Sequence, residues 1–258
     1  MKKLNYYIVY HSTIEEKFSE SIPNDTKVFV KVGNMESKIK KEFQKLELNS
    51  LPNYFPLPKS YAESDVLFNL FLNPQIYSQS EYIGFGQYDI ELLTEYNKFE
   101  QYIQRNNLLG FEYSTLAQDY NQRILMDLNQ RNKLCGEGYN CYNQIMKDYN
   151  FFFRTNHKLE NYWNREIALC SSFIVKTEIY VKLMNWLSTI ILSNKLNWFD
   201  ENNQYRIQAG FLERYTALFL MLENLNYVRI PNIHHGTTQF KEHINKKYIE
   251  ISDTINYY

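Results

Sequence analysis

The sequence predicts an α/β fold built on a mainly parallel sheet. Two observations carry that expectation. Short strands rich in aromatic and β-branched residues alternate with helical stretches, and several strands end in a turn holding glycine or a polar residue before the chain moves on. Composition supplies a third: 258 residues with 44% hydrophobic and 22% charged content suit one large folded domain and argue against disorder.

The first strand is read at 5–10, Asn-Tyr-Tyr-Ile-Val-Tyr, ending at His11-Ser12. Met1-Lys2-Lys3 before it imitates a signal peptide, but the apolar run is short, holds an Asn and lacks a small-residue cleavage site. A second strand at 27–32 stops at Gly33-Asn34, and a charged helix at 36–46 leads into a loop punctuated by Pro52, Pro56 and Pro58. The next helix, 62–72, takes Ser60 as its cap, places Leu67, Leu70 and Phe71 on one face and stops near Pro74. A third strand at 82–85 runs into Gly86-Gln87-Tyr88-Asp89.

In the middle of the chain, helices are expected at 97–104 and 142–153 with a strand near 108–113. Cys170-Ser171-Ser172 then leads into a strand at 173–175, helices at 177–192 and 209–225, a strand at 227–231 and the closing His234-His235-Gly236. The two most apolar helices carry Lys182 and Asn185, and Glu213 and Arg214, so neither offers the ~18 uninterrupted apolar residues of a membrane span. A soluble protein is expected. Three cysteines without a Cys-x-x-Cys pair suit a reduced, cytoplasmic chain. With 28 basic against 29 acidic residues, the net charge of −1 excludes a nucleic-acid-binding surface of the usual basic kind.

Four places hold residues that carry chemistry. Asp89 follows a strand that ends in glycines; there it would face the crevice where open parallel sheets bind ligands, or cap a following helix. Glu213 stands just after Gly210 near an expected helix start, as a general base or as ordinary helix-dipole chemistry. His234 and His235 point to opposite sides of an extended chain, so at most one serves a site. His11 with Ser12 ends the first strand, the usual place for nucleotide contacts. The sequence holds no Gly-x-Gly-x-x-Gly, P-loop, Gly-x-Ser-x-Gly or His-Glu-x-x-His, which removes the usual support for dehydrogenase, NTPase, serine hydrolase and zinc protease.

The ordered set Tyr61-Ala62-Glu63-Ser64, Tyr82 to Asp89, Cys170 to Val175 and Ala209 to Tyr215 resembles a family of capsular-polysaccharide and viral glycosyltransferases of the GT-A type. The resemblance spans Leu4 to His235 and implies a single GT-A-like, Rossmann-like domain. Its nucleotide-binding half would cover about residues 1–92 and its acceptor half about 93–258. It implies a sugar, hexosyl or pentosyl, moved from a UDP- or GDP-sugar to a glycan hydroxyl, with inversion and with Glu213 as the base. Donor contacts would come from His11, Ser12, Gly33, Glu63, Gln87 and Tyr88. Asp89, Ser171, Ser172, Gly210 and Arg214 complete that set. Asp89 with His234 or His235 falls where such enzymes hold Mn or Mg. Gln87-Tyr88-Asp89 departs from the family's His-Tyr-Arg and from the Asp-x-Asp of GT-A enzymes at large, which leaves metal dependence open. It also keeps open a second reading, a module that binds nucleotide sugar or glycan without turnover. A nucleotide-sugar-modifying enzyme is the third.

The chain uses only 8 glycines against 23 Tyr and 17 Phe. Gly33, Gly84, Gly86, Gly210 and Gly236 fall at expected strand and helix ends, where close approach to a ligand would require them. Tyr88 and Tyr215 adjoin the candidate residues and would be sugar-facing rings.

Overall fold

Strand β1, Lys2–Tyr10, is apolar almost throughout because both of its faces are buried. Leu4, Tyr6, Ile8 and Tyr10 enter one core cluster, while Tyr7 and Val9 enter another. The structure, a computed structural model, describes residues 2–11, 19–32, 43–94, 98, 101–102, 108–121, 141–193, 196, 207–223, 225 and 227–235.

The remaining strands are β2 (Lys27–Lys31), β3 (Lys45–Glu47), β4 (Ser80–Gln87), β5 (Ile90–Leu92), β6 (Leu108–Thr115), β7 (Glu166–Lys176), β8 (Tyr227–Arg229) and β9 (Asn232–His234). They form a seven-stranded sheet in the order β3-β2-β1-β4-β7-β6-β8 and a two-stranded β5-β9 ladder. β1 pairs in parallel with β2 and β4, as do β2 with β3 and β6 with β8; only β7 runs antiparallel to both neighbours. The mainly parallel sheet expected from the sequence is present.

Helices α1 (Glu63–Phe71), α2 (Cys141–Phe153), α3 (Thr177–Leu192) and α4 (Ile207–Leu222) contribute to the cluster that holds Tyr7, Val9, Phe85 and Phe173. Trp186 of α3 lies at its centre, against Tyr149, Phe153, Tyr215 and Phe219. Much of the aromatic excess is therefore core. Full burial of such a ring stabilises by ~1.5–3 kcal/mol. The opposite face is covered by a smaller cluster that includes Ile22, Ile90, Leu92 and Ile230. No helix among the described residues is long and apolar enough to cross a membrane.

Several local expectations change. Lys45 and Leu46 lie in β3 rather than in a helix, and the rest of the helix expected at 36–46 lies outside the described residues apart from Phe43 and Gln44. Ser60 does not cap α1. It sits in the tight turn Lys59–Tyr61 with its hydroxyl buried and no hydrogen-bond partner among the described residues. The residue at the cap is Ala62, at φ 44°. Cys170, Ser171 and Ser172 lie inside β7 rather than before it. They stand opposite Phe111 alone, a bulge between the pairs Gly110–Phe173 and Glu112–Leu169. Cys170 and Ser171 take φ of 59° and 47°, in the left-handed region that non-glycine residues seldom occupy.

Candidate active site

The parallel strands β1, β2 and β4 deliver their carboxyl ends to one edge of the sheet, and the candidate residues gather there. Beyond β1, β2 and β3 a cleft of about 610 Å³ opens, lined by His11, Lys31, Glu47, Tyr54, Lys59 and the α1 carboxylates Glu63 and Asp65, among others. The Tyr88 ring meets His11 edge-on at 5.1 Å, which joins this cleft to the end of β4. Of the donor residues implied by the resemblance, His11 and Glu63 line the cleft, while Ser12 and Gly33 lie outside the described residues.

Asp89 is followed by strand β5, so it caps no helix. Its Oδ2 lies 3.3 Å from His234 Nε2, and its Oδ1 is buried with no hydrogen-bond partner among the described residues. Burial pushes the Asp89 carboxyl up, but the His234 hydrogen bond and charge, with His11 nearby, outweigh it and hold the group below the usual carboxylate range. The β5–β9 ladder turns the adjacent histidines apart. His235 gives its backbone N–H to the Asp89 carbonyl at 2.7 Å, and its ring pairs with Glu91 at 2.7 Å. His235 is thus withdrawn from the expected metal set by a carboxylate of its own. No group of three or more His, Cys, Asp or Glu side chains suited to a metal exists among the described residues. Asp89 and His234 fit a cation only as two of its donors: a hard carboxylate and an imidazole nitrogen 3.3 Å from it.

Glu213 is not at a helix start. It lies nearly two turns into α4, beyond the reach of the positive helix end. Its Oε1 accepts the Cys170 N–H at 2.8 Å and its Oε2 lies 3.0 Å from Arg214 Nη1, with 21% of the side chain open to solvent. Gln87 Nε2 donates to the Cys170 carbonyl at 3.0 Å, so the bulge in β7 is gripped from β4 and from α4. Arg214 is buried, and its guanidinium holds Asp119 through Nε and Nη2, both at 3.0 Å. The Tyr142 hydroxyl donates to the same carboxylate at 2.7 Å. Burial alone would depress the Arg214 pKa; Glu213 and Asp119 more than offset it and hold the group firmly charged.

These contacts revise several expectations. Arg214 would act on a donor through Glu213, because both edges of its fork are already engaged. Ser172 is fully buried and gives its hydroxyl to the Cys170 carbonyl at 3.0 Å, which removes it from the donor pocket. Ser171 remains half-buried at the bulge. Tyr215 is core, its hydroxyl donating to Asp148, whereas Tyr88 stays half-buried beside His11. The glycines divide as well. A methyl group at Gly84 or Gly86 would collide with the Tyr6 ring, so those two accommodate Tyr6 rather than a ligand. Gly210 faces open space, and Gly33 and Gly236 lie outside the described residues.

Sequence reasoning missed Lys31, Lys59, Tyr54, Asp65 and Asp119. The i, i+4 spacing of Asp65, Asn69 and Asn73 was a signal for the second wall of the cleft. Asp119 has no local signal, since its partner lies 95 positions away.

No family profile matches the sequence, and no curated protein is significantly similar to it. Solved structures are similar. The bifunctional glycosyltransferase WbbM aligns over 92% of this chain with a TM-score of 0.55 and 13% identity. Core-mannan synthase A (CmsA/Ktr4) of Aspergillus fumigatus, in its Mn/GDP form, covers 88% of the chain and 70% of its own with a TM-score of 0.38 and 11% identity. The mannosyltransferase Ktr4p of S. cerevisiae covers 90% and 70% with a TM-score of 0.35 and 14% identity. The chain spans 46% of the length of WbbM. The chain is therefore similar in fold to WbbM over most of its length.

Proposed function

We propose that the chain is a glycosyltransferase that moves a sugar from a nucleotide-sugar donor to a glycan hydroxyl. The observation that carries this reading is the placement of two carboxylates of opposite situation on one sheet edge. Asp89, just beyond β4, has a buried oxygen with no hydrogen-bond partner among the described residues, and Glu213 is fixed yet open to solvent across the Gln87–Cys170 contact. The first would suit a cation set against the diphosphate end of a donor, and the second an acceptor hydroxyl. The similarity in fold to WbbM adds to that reading without deciding it.

In this mechanism Lys31 and Lys59 draw the diphosphate to the cleft, and Glu213 takes the proton from the acceptor hydroxyl as it attacks the anomeric carbon. A single in-line displacement inverts that carbon. A divalent cation held by Asp89 and His234 would neutralise charge on the departing diphosphate. His11 and Tyr88 close the floor between the two ends.

The test is transfer and donor hydrolysis by Glu213→Gln. Turnover is expected to fall by about 10²–10⁴-fold with donor affinity retained, the range a general base contributes. Turnover near that of the unaltered chain defeats the base assignment. One observation favours a binding module instead: both Glu213 oxygens already meet donors, the geometry of a clamp on β7. Donor binding without product on any acceptor would favour that second reading.

A further inference from the structure

The cleft beyond β1–β3 has one wall that is held unusually well. Asn69 of α1 is fully buried; its Oδ1 accepts the Phe55 N–H at 2.7 Å and its Nδ2 donates to the Phe55 carbonyl at 3.0 Å. One turn on, Asn73 repeats the arrangement with Asn53, accepting its N–H at 3.1 Å and donating to its carbonyl at 3.3 Å. Tyr54 stands between these two pinned residues. Phe55 meets Phe68 edge-on at 5.8 Å and keeps 46% of its surface exposed, while Tyr54 lines the cleft and is 37% exposed. An aromatic ring is thus presented to the cleft on backbone that is fixed on both sides, which lowers the entropy lost when a planar ligand stacks on it.

Asp65 lines the same cleft, close enough to raise the Tyr54 hydroxyl pKa after burial has done so. Its Oδ1 accepts from Asn69 Nδ2 at 2.7 Å, and the carboxylate also takes the Leu57 N–H. A carboxylate has about four acceptor positions. Among the described residues two are used, by α1 and the loop, which leaves two. Lys31 and Lys59 line the cleft as well and supply positive charge for phosphates. The cleft's roughly 610 Å³ lies in the range that holds a nucleotide-sized ligand.

We infer that Tyr54 and Asp65 form the base-reading end of this cleft and select guanosine diphosphate sugars, Tyr54 by stacking and Asp65 by accepting two adjacent N–H groups. The inference rests on the nucleotide-sugar reading. Guanine alone among the common bases offers two neighbouring donors, N1–H and the N2 amino group, on one edge. Adenine and cytosine set a ring nitrogen acceptor against the carboxylate, and uracil places its single N–H between two carbonyls. Charge-assisted hydrogen bonds to a fixed, half-buried carboxylate discriminate strongly, because a mismatched base leaves that charge unpaired. Burial, partly offset by Leu57 and Asn69, raises the Asp65 carboxyl to about 6, so it is ionised in an assay at a pH above 7.

The experiment is calorimetric titration of the full chain, at a pH above 7, with GDP, IDP, UDP and ADP, repeated on Asp65→Asn and Tyr54→Ala. IDP is guanosine diphosphate's analogue without the N2 amino group. GDP is expected to bind at least about tenfold more tightly than UDP and ADP, with IDP weaker than GDP by about the same factor. Asp65→Asn should erase the GDP preference and leave UDP affinity in place, whereas Tyr54→Ala should weaken every nucleotide alike. UDP binding as tightly as GDP, or a GDP preference that survives Asp65→Asn, overturns the inference. Equal binding of GDP and IDP overturns the two-donor contact on the unaltered chain, whatever becomes of the variants. Binding of all four without preference defeats this inference alone, and binding of none defeats the donor reading with it.

Discussion

The two walls of the sheet edge are held by opposite means. On the β1–β3 side the loop at 53–57 is fixed to α1 by neutral amides, Asn69 and Asn73. On the β7 side the bulge is fixed to α4 by charge: Cys170 to Glu213, Glu213 to Arg214 and Arg214 to Asp119. Among the described residues, the neutral staples leave Asp65 with acceptor positions to spare and tie up neither Lys31 nor Lys59, and all three line the cleft. The charged chain spends most of its valences internally, and of its carboxylates only Glu213 keeps an appreciable solvent-facing surface. Rigidity is common to both walls; what differs is how much charge remains for a ligand.

The sharpest way to break this comparison is to cut the charged chain. Arg214→Met takes the guanidinium away from the Asp119 carboxylate, which is 2% exposed and also accepts from the Tyr142 hydroxyl. Loss of one partner from a buried pair costs ~3–5 kcal/mol, read as a lowered midpoint in urea unfolding. Adding Asp119→Leu should recover most of it, because an apolar exchange of the whole pair is close to neutral. A single variant within about 1 kcal/mol of the unaltered chain would mean that the network is not what holds α4 to its neighbours.

The amide wall should respond less. Asn69→Ala removes the partners of the Phe55 N–H and carbonyl and one donor to Asp65. Because water can reach part of this loop, the expected loss is about 2 kcal/mol, near the middle of the range for unsatisfied buried groups. Donor affinity should fall further than stability alone would imply, since Tyr54 and Asp65 lose their common anchor. Unchanged nucleotide binding in this variant would show that the fixed wall is structural only.

The fold was more legible than the site, and particular residues show why. β1 could be read because it is a continuous apolar run rich in aromatic and β-branched residues, and α3 because it is a long apolar pattern with a helical period; the helix expected at 177–192 is present as Thr177–Leu192. β3 could not, since Lys45 and Leu46 are strand only because Phe29 to Lys31 pair with them. At the site, the position of Asp89 just beyond a strand end could be read, because β4 ends in a clear apolar pattern. Glu213 is expected near a helix start and lies instead well inside its helix. His235, Ser172 and Tyr215 were misread because their true partners, Glu91, Cys170 and Asp148, follow from tertiary pairing or from a bulge that no local pattern signals. Gly84 and Gly86 were assigned to a ligand when their neighbour is Tyr6, two strand faces brought together by the β1–β4 register.

The smallest expected effect tests why the charged wall is charged at all. Ser171 holds φ at 47° in the middle of a long strand, a conformation costing an L-residue roughly 1–2 kcal/mol. Cys170 beside it is at 59°, with its N–H and carbonyl both taken, by Glu213 and by Gln87 and Ser172. Glycine removes the steric cost but adds roughly 0.5–1 kcal/mol of chain entropy to the unfolded state, so Ser171→Gly should stabilise by only about 0.5–1 kcal/mol in urea unfolding. Ser171→Ala keeps the Cβ and should gain nothing. If Ser171→Gly also loses transfer activity while donor binding persists, the strain is retained to present Ser171 at a fixed place beside Gln87 and Glu213, and the buried charges of α4 are what maintain it. If glycine brings no stability, the bulge is relaxed, and the charged wall holds nothing that a neutral one could not.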